Sequence, residues 1–297
     1  FVDAACVLAA AGTGNPGFMN DPVVIEGLTA LDIPLERARD WGIVGCYEAT
    51  PQGDSYPNTV LCQLHLVDGL AAYLATPEAR AAASFEALVE GWQAHVRAAY
   101  ARVLEGCQAR WNAMRDMAPS PFGSVLMRGC VARALPLEAG GADHNLAGVN
   151  ILGLGTVVDS LHAIRQVVFQ RGEATLDQVS DAVAEDFPDE GLRRHLSQVP
   201  GRYGTDAEAT NTLARAVSTF LAGMVLESRL ECGVRPYPGF FAFGADIYAL
   251  RSASPDGRRK EDLISYGVAP SSAVEAGPTA VMASAAHVAH PLAACGN

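Results

Sequence analysis

The chain has 297 residues, of which 49% are hydrophobic, so it can bury the core of one large or two ordinary domains without disulfides or metal ions. Its formal net charge of -12 repels phosphate backbones and anionic lipid surfaces, which argues against nucleic acid as a partner. No apolar run approaches the ~18 residues of a membrane span, so we expect no membrane partner either.

The cysteines are seven in number, with no C-x-x-C pair and no nearby histidine at metal-ligand spacing. An odd, unpaired set of this kind is typical of reduced thiols in a cytoplasm, where most serve as small core residues. We therefore expect a cytoplasmic protein with no metal site.

The first 60 residues are rich in glycine and proline, which favours loops that present side chains over elements that build a core. Between residues 77 and 105, apolar side chains recur every three or four positions. This spacing predicts a long amphipathic helix that stops at Gly106. A second helix is predicted over residues 156–169.

Two capping signals follow in the sequence. Thr175, with Gln178 three residues on, predicts the start of a third helix. Thr205 with Glu208 predicts the start of a fourth, which runs to about Leu230.

The remainder of the chain is again rich in glycine and proline. It contains short predicted strands near residues 264–268 and 280–285. The pattern as a whole predicts an α-rich α/β chain with loops at both ends.

Residues 12–17 match the dinucleotide-binding pattern G-x-G-x-x-G through Gly12, Gly14 and Gly17. That fingerprint needs a strand before it and a helix immediately after it. The preceding residues 3–11 are alanine-rich and prone to helix, so a nicotinamide site is a minor alternative.

The run Gly45-Cys46-Tyr47-Glu48 is the strongest candidate for chemistry. The neighbouring residues predict a loop or a short extended turn. In extended backbone, residues two apart point the same way, so Cys46 and Glu48 would project into one cavity while Tyr47 points away. A core cysteine is the ordinary interpretation of a lone thiol, and a two-electron nucleophile with His65 as base is another. A neighbouring carboxylate opposes thiolate formation, and a thiol that stays protonated suits hydrogen-atom transfer.

Several segments then resemble, in order and across nearly the whole chain, those of glycyl radical enzymes, the family that includes pyruvate formate-lyase. They are residues 12–25, 38–48, 138–149, 153–161, 202–206, 255–258, 267–271 and 277–281. The resemblance implies that the chain, residues 1–297, is a portion of the catalytic domain. It would form part of a ten-stranded β/α barrel with a helix-rich periphery and a cysteine loop, residues 42–59, in its interior.

The resemblance also implies roles for two residues. Cys46 would hold the thiyl radical, and Glu48 would take a proton from a hydroxyl group next to the substrate radical. The expected reaction is elimination from a small hydroxylated substrate, by a dehydratase or C-X lyase. A radical decarboxylase, a formate C-acetyltransferase-like enzyme and a non-catalytic scaffold are alternatives. Gln52 and Thr59 follow the loop and are weaker candidates for substrate contact.

Two departures from the family pattern qualify this interpretation. Gly45 stands where pyruvate-cleaving members have a second cysteine, which argues against pyruvate formate-lyase proper. The family's Arg-Val-x-Gly-Tyr glycyl loop does not occur in the chain, so the glycyl radical domain is absent. We therefore expect either a fragment or a split enzyme with a separate glycyl radical subunit, and the abrupt termini favour the fragment.

The resemblance implies partners as well. A radical S-adenosylmethionine activating enzyme, with an iron-sulfur cluster, would install the glycyl radical on a C-terminal segment outside this chain. We expect no cofactor in the chain itself, no activity from it alone, and a homo-oligomer when the enzyme is complete.

Overall fold

The computed structural model describes residues 2–11, 17–241, 251–271 and 274–296. Helices dominate it. In chain order they are α1 Val2–Ala10, α2 Asp21–Thr29, α3 Leu35–Ala38, α4 Leu66–Leu74, α5 Pro77–Arg80, α6 Phe85–Met117, α7 Pro121–Leu126, α8 Cys130–Arg133, α9 Leu154–Ile164, α10 Leu176–Ala184, α11 Glu190–Ser197, α12 Glu208–Glu227 and α13 Pro278–Ala285. A π-helical segment, Arg165–Gln170, extends α9.

Two small sheets complete the fold. The strands are β1 Trp41–Val44, β2 Glu48–Pro51, β3 Ser55–His65, β4 His144–Leu152 and β5 Arg235–Gly239. Strands β1 and β2 form an antiparallel hairpin, whereas β3, β4 and β5 form a parallel sheet in that order. Helices join the parallel strands, as parallel crossovers require, so the α/β prediction is confirmed.

Strand β3 contains a bulge opposite β4. Asn58 pairs with Ala147 and Cys62 pairs with Val149, so three residues of β3, 59–61, stand opposite Gly148 alone. The extra residues are left without ladder partners at this point. The bulge therefore frees backbone groups of Thr59 for other contacts.

The long helix α6 packs against the main hydrophobic core. Its buried side chains are Leu88, Trp92, Val96, Tyr100, Cys107 and Trp111, which recur at helical spacing. The predicted stop at Gly106 is wrong, because α6 continues to Met117. A mid-helix glycine costs only about 1 kcal/mol relative to alanine, and burial of Trp111 beyond it outweighs that cost.

The predicted helix starts have mixed outcomes. The capping box at Thr175 is confirmed, since Thr175 and Gln178 exchange bonds of 3.2 and 2.8 Å between side chain and backbone. The second box is wrong, because the Thr205 hydroxyl donates to the Arg202 carbonyl at 2.7 Å and Ala207 precedes α12. That helix ends at Glu227.

The predictions for the two ends of the chain are less accurate. Residues 2–60 hold α1, α2, α3 and the hairpin, and so are not mainly loop. Residues 264–268 form no strand, and residues 280–285 lie in helix α13, which begins at Pro278, a favoured first helical residue. Alanine, which has high helix propensity, occupies three of these six positions.

A buried network of opposite charges ties α9 to two loops. The Arg202 guanidinium contacts Asp159 at 3.1 Å and Asp256 at 2.9 Å, and the Tyr203 amide donates to Asp159 at 2.7 Å. Burial raises the pKa of Asp159 to about 7, and the neighbouring Asp256 adds to this, while Arg202 opposes it. A carboxylate with a raised pKa is destabilising when it is ionised.

We expect the contribution of Asp159 to the free energy of unfolding to fall as pH rises from about 4 to about 7, by up to ~1.4 kcal/mol per pH unit. The folded protein retains a proton on Asp159 in this range, whereas the unfolded chain has released it. Asp159→Asn should remove this decline in urea unfolding curves taken across the range. Asp177→Asn, at an exposed position on α10, should preserve it. An unchanged slope in Asp159→Asn would contradict the assignment.

Candidate active site

The candidate residues lie at the tip of the hairpin formed by β1 and β2. Val44 pairs with Glu48, so Gly45, Cys46 and Tyr47 form the connecting turn. This agrees with the loop or short extended turn predicted here, but the alternation of side chains expected in extended backbone does not apply across the turn. Gly45 has φ +74°, a conformation that glycine adopts without steric cost.

The Glu48 carboxylate folds back beneath this turn. Its Oε2 atom accepts the backbone N–H of Cys46 at 2.8 Å and that of Tyr47 at 3.0 Å. The Glu48 side chain is only 2% exposed, whereas Cys46 is exposed. The carboxylate thus holds the backbone that carries the thiol, so that the acid and the thiol belong to one local structure.

Gly45 leaves room for the Glu48 carboxylate. A Cβ atom on Gly45 would lie 2.9 Å from Glu48 Oε2, closer than such contacts occur. Gly53, in the loop after β2, has a similar φ of +81° but faces open space. The two glycines thus share backbone conformation but differ in contact with the carboxylate.

We expect Gly45→Ala to displace the Glu48 carboxylate in addition to the ~1 kcal/mol cost of a positive φ. Gly53→Ala should incur the backbone cost alone. Urea unfolding of both variants, with turnover measured in the full-length enzyme, compares them. Equal effects of the two substitutions on stability and on turnover would show that the contact with Glu48 is unimportant.

Arg37 anchors the base of the hairpin. Its Nε atom donates to Asp54 at 2.6 Å, and Nη2 donates to the Gln52 carbonyl at 3.0 Å. Asp54, which is 1% exposed, lies between the hairpin and β3. A charge-assisted bond to a buried carboxylate is stronger than a surface ion pair, so the hairpin is held firmly to α3 and β3.

A segment near the described C-terminal end holds the other side of the hairpin. The Ala49 amide donates to the Ala294 carbonyl at 3.2 Å, and the Cys295 amide donates to the Pro238 carbonyl at 2.9 Å. This segment therefore joins β2 to β5. It fixes the hairpin relative to the parallel sheet.

Aromatic side chains surround the turn. The Tyr47 ring lies 6.1 Å from Phe241, which lies 6.0 Å from Tyr266. Burial raises the pKa of Tyr266, and nearby Tyr47 and Cys46 add to the effect. Tyr266 is therefore near enough to Cys46 for the two groups to interact electrostatically.

The weaker sequence candidates occupy different positions. The exposed Gln52 ends the hairpin, and its side-chain amide donates to the Thr50 carbonyl at 3.1 Å. Thr59 lies in the β3 bulge, and its carbonyl accepts the Cys295 thiol at 3.5 Å. His65 ends β3 at the opposite end from the hairpin connection, which weighs against its role as a base for Cys46.

The alternative of a nicotinamide site gains no support. Helix α1, and not a strand, precedes the glycine pattern. Residues 12–16 of the pattern lie outside the described residues.

Within the described ranges, no group of three or more His, Cys, Asp or Glu side chains could hold a metal ion. No helix in those ranges combines the length and apolar character needed to cross a membrane.

Comparisons with known proteins agree with the resemblance seen in the sequence. The pyruvate formate lyase-like family model matches residues 1–249. The chain is 26% identical to a probable dehydratase of Escherichia coli over 96% of this chain and 39% of that protein. It is 27% identical to the isethionate sulfite-lyase of Bilophila wadsworthia over 92% of this chain and 35% of that protein.

A solved structure shows the same relation. The glycerol-bound B12-independent glycerol dehydratase from Clostridium butyricum matches with a TM-score of 0.93 and 26% identity, over 98% of this chain and 39% of that chain. The fold is therefore a mixed α/β part of a glycyl radical enzyme. The chain belongs to the pyruvate formate lyase-like family, and it spans about two fifths of the length of the first relatives it matches.

Proposed function

We propose that the complete protein is a glycyl radical dehydratase or C-X lyase, with Cys46 as the hydrogen-atom carrier and Glu48 as the base. The observation that carries the proposal is the pair of hydrogen bonds from the Cys46 and Tyr47 amides to Glu48. They join a thiol and a buried carboxylate in one rigid turn. The relatives that match more than nine tenths of this chain are dehydratases and C-S lyases, which favours elimination over decarboxylation.

The proposed chemistry divides between the two residues. The glycyl radical, on a segment outside this chain, supplies the unpaired electron that makes Cys46 a thiyl radical. Cys46 then takes a hydrogen atom from a carbon that bears a hydroxyl group, which leaves a carbon radical on the substrate. Glu48 takes the hydroxyl proton, the group on the adjacent carbon leaves with its bonding electrons, and Cys46 returns a hydrogen atom to the product radical.

The burial of Glu48 suits this role. A carboxylate base is most effective when water does not compete for its oxygens. Two backbone amides keep Oε2 oriented, so the position of the base does not depend on solvent. Gln52 and Thr59 follow along the chain, and we retain them as weaker candidates for substrate contact.

The parallel sheet and the cysteine loop also suggest where this chain lies in the complete enzyme. We propose that β3, β4 and β5 are part of a ten-stranded β/α barrel and that the cysteine loop, residues 42–59, lies in its interior. Residues 1–297 would be a portion of the catalytic domain. The glycyl-bearing segment, a radical S-adenosylmethionine activating enzyme and further copies of the protein would be its partners. The free thiols of all seven cysteines favour a reducing cytoplasm.

We expect Cys46→Ala in the full-length enzyme to abolish turnover and to leave the glycyl radical in place, because alanine has no S–H bond to exchange. Electron paramagnetic resonance quantifies the radical, and product formation measures turnover. Cys6→Ala, which removes another exposed thiol, is the matched control and should retain activity. Substantial turnover in Cys46→Ala would overturn the proposed function.

Glu48→Gln tests the base separately. The amide oxygen of glutamine can still accept the Cys46 and Tyr47 N–H bonds, so the turn should persist, but glutamine cannot take a proton. We expect turnover to fall by about 10²–10⁴. Glu36→Gln, on the exposed surface of α3, should have little effect. A loss below tenfold in Glu48→Gln would exclude Glu48 as the base.

A further inference from the structure

Two cysteine side chains meet where helix α6 packs against strand β3. Cys62 lies in β3 directly after the bulge at 59–61, and Cys107 lies on α6. Cys107 is buried in a small hydrophobic cluster with Leu61 and Trp111, and the half-buried Cys62 packs at the edge of the same cluster. The two thiols share a hydrogen bond. We refer to them as the dithiol pair.

The bulge in β3 brings the pair together. Leu61 has no ladder partner in β4, so its carbonyl is available to α6. The Cys107 thiol contacts this carbonyl at 3.8 Å, and Arg110 Nη1 donates to it at 3.3 Å. Residues three apart share one face of a helix, so both side chains of α6 reach the bulge together. These contacts hold Cys107 beside the residue that follows Leu61, which is Cys62.

The surroundings of the pair divide the reactivity between its two sulfur atoms. The hydrogen bond from Cys62 lowers the pKa of Cys107; burial opposes this effect, and the nearby Arg110 guanidinium adds to it. The same hydrogen bond, together with burial, raises the pKa of Cys62. A thiolate is the form of cysteine that reacts with oxidants. Cys107 is therefore the nucleophile of the pair, and Cys62 stays protonated next to it.

We propose that Cys62 and Cys107 form a reversible disulfide between β3 and α6 when the protein meets hydrogen peroxide. The Cys107 sulfur attacks one peroxide oxygen, the O–O bond breaks, and the products are a sulfenic acid and water. The Cys62 sulfur then attacks the Cys107 sulfur, an S–S bond forms, and the hydroxyl group leaves with the Cys62 proton as a second water. Two thiols are oxidised by two electrons, and one peroxide molecule is reduced to two molecules of water.

The contact between the two thiols gives the oxidation its reversibility. A sulfenic acid that meets a second thiol becomes a disulfide, which other thiols reduce, whereas further oxidation to sulfinic or sulfonic acid is not reversed in this way. Cys295 is the competing partner for Cys62, because its thiol contacts the Thr59 carbonyl in the same bulge at 3.5 Å. The hydrogen bond between Cys62 and Cys107 favours the dithiol pair over this alternative.

The test uses the full-length protein, fully reduced and not activated, treated with hydrogen peroxide. Remaining thiols are blocked with N-ethylmaleimide, and mass spectrometry follows digestion without reductant. We expect the free thiols of Cys62 and Cys107 to be lost together, a peptide that links them to appear, and dithiothreitol to restore both. Cys130, which is buried in a separate cluster, is the internal control and should keep its free thiol.

Three outcomes would overturn the proposal. The first is that both thiols of the pair stay free when the exposed thiol of Cys6 is oxidised. The second is that only one of them is oxidised, and the third is a link from Cys62 to Cys295. No radical is generated in this experiment, so a failure here leaves the proposed roles of Cys46 and Glu48 in place.

Two variants test the need for the partner thiol. Cys107→Ser should abolish the linked peptide and make the oxidation of Cys62 irreversible by dithiothreitol, because a serine hydroxyl cannot capture a sulfenic acid. Cys232→Ser removes another half-buried cysteine at the edge of the same cluster and should keep the link. If the oxidation of Cys62 were equally reversible in both variants, Cys107 would not be its partner and the pairing would be wrong.

Discussion

The structure around the candidate site depends on one carboxylate beneath one turn. Glu48 is buried, and it offsets the cost of burial by accepting two backbone amides. Without those bonds, an ionised group in this position would be strongly destabilising. The same bonds fix the backbone of Cys46. The electrostatic requirement of the acid and the positional requirement of the thiol are thus met by the same two hydrogen bonds.

The burial of the Glu48 carboxylate beneath the turn is supported by residues in the turn, at the base of the hairpin and in the segment beside β5. A side chain at Gly45 would meet the carboxylate, which would then have to move. Arg37 neutralises Asp54 at the base of the hairpin, so that a second buried acid does not weaken the arrangement. Ala294 supplies the carbonyl that joins the hairpin to the segment beside β5. Each contact restricts the hairpin, and together they leave it little freedom to move.

Local signals in the sequence predicted much of the fold. The capping box at Thr175 and the amphipathic spacing of α6 act over a few residues and were read correctly, apart from the stop at Gly106. The run Gly45-Cys46-Tyr47-Glu48 is visible in the sequence, and a loop or short turn is predicted there. The bond from Glu48 to the turn backbone is not predicted, because the alternation of side chains does not encode a local bond between a side chain and the backbone.

The bulge in β3 has a consequence for how this strand can vary in length. Three residues stand opposite one, so the surplus is two, and the faces of the strand keep their alternation on either side of it. If two residues were deleted or inserted at 59–61, each remaining side chain of β3 would still face the same side of the sheet. If one residue were deleted or inserted, the side chains beyond that point would face the opposite side. Length polymorphism at this position should therefore occur in even steps.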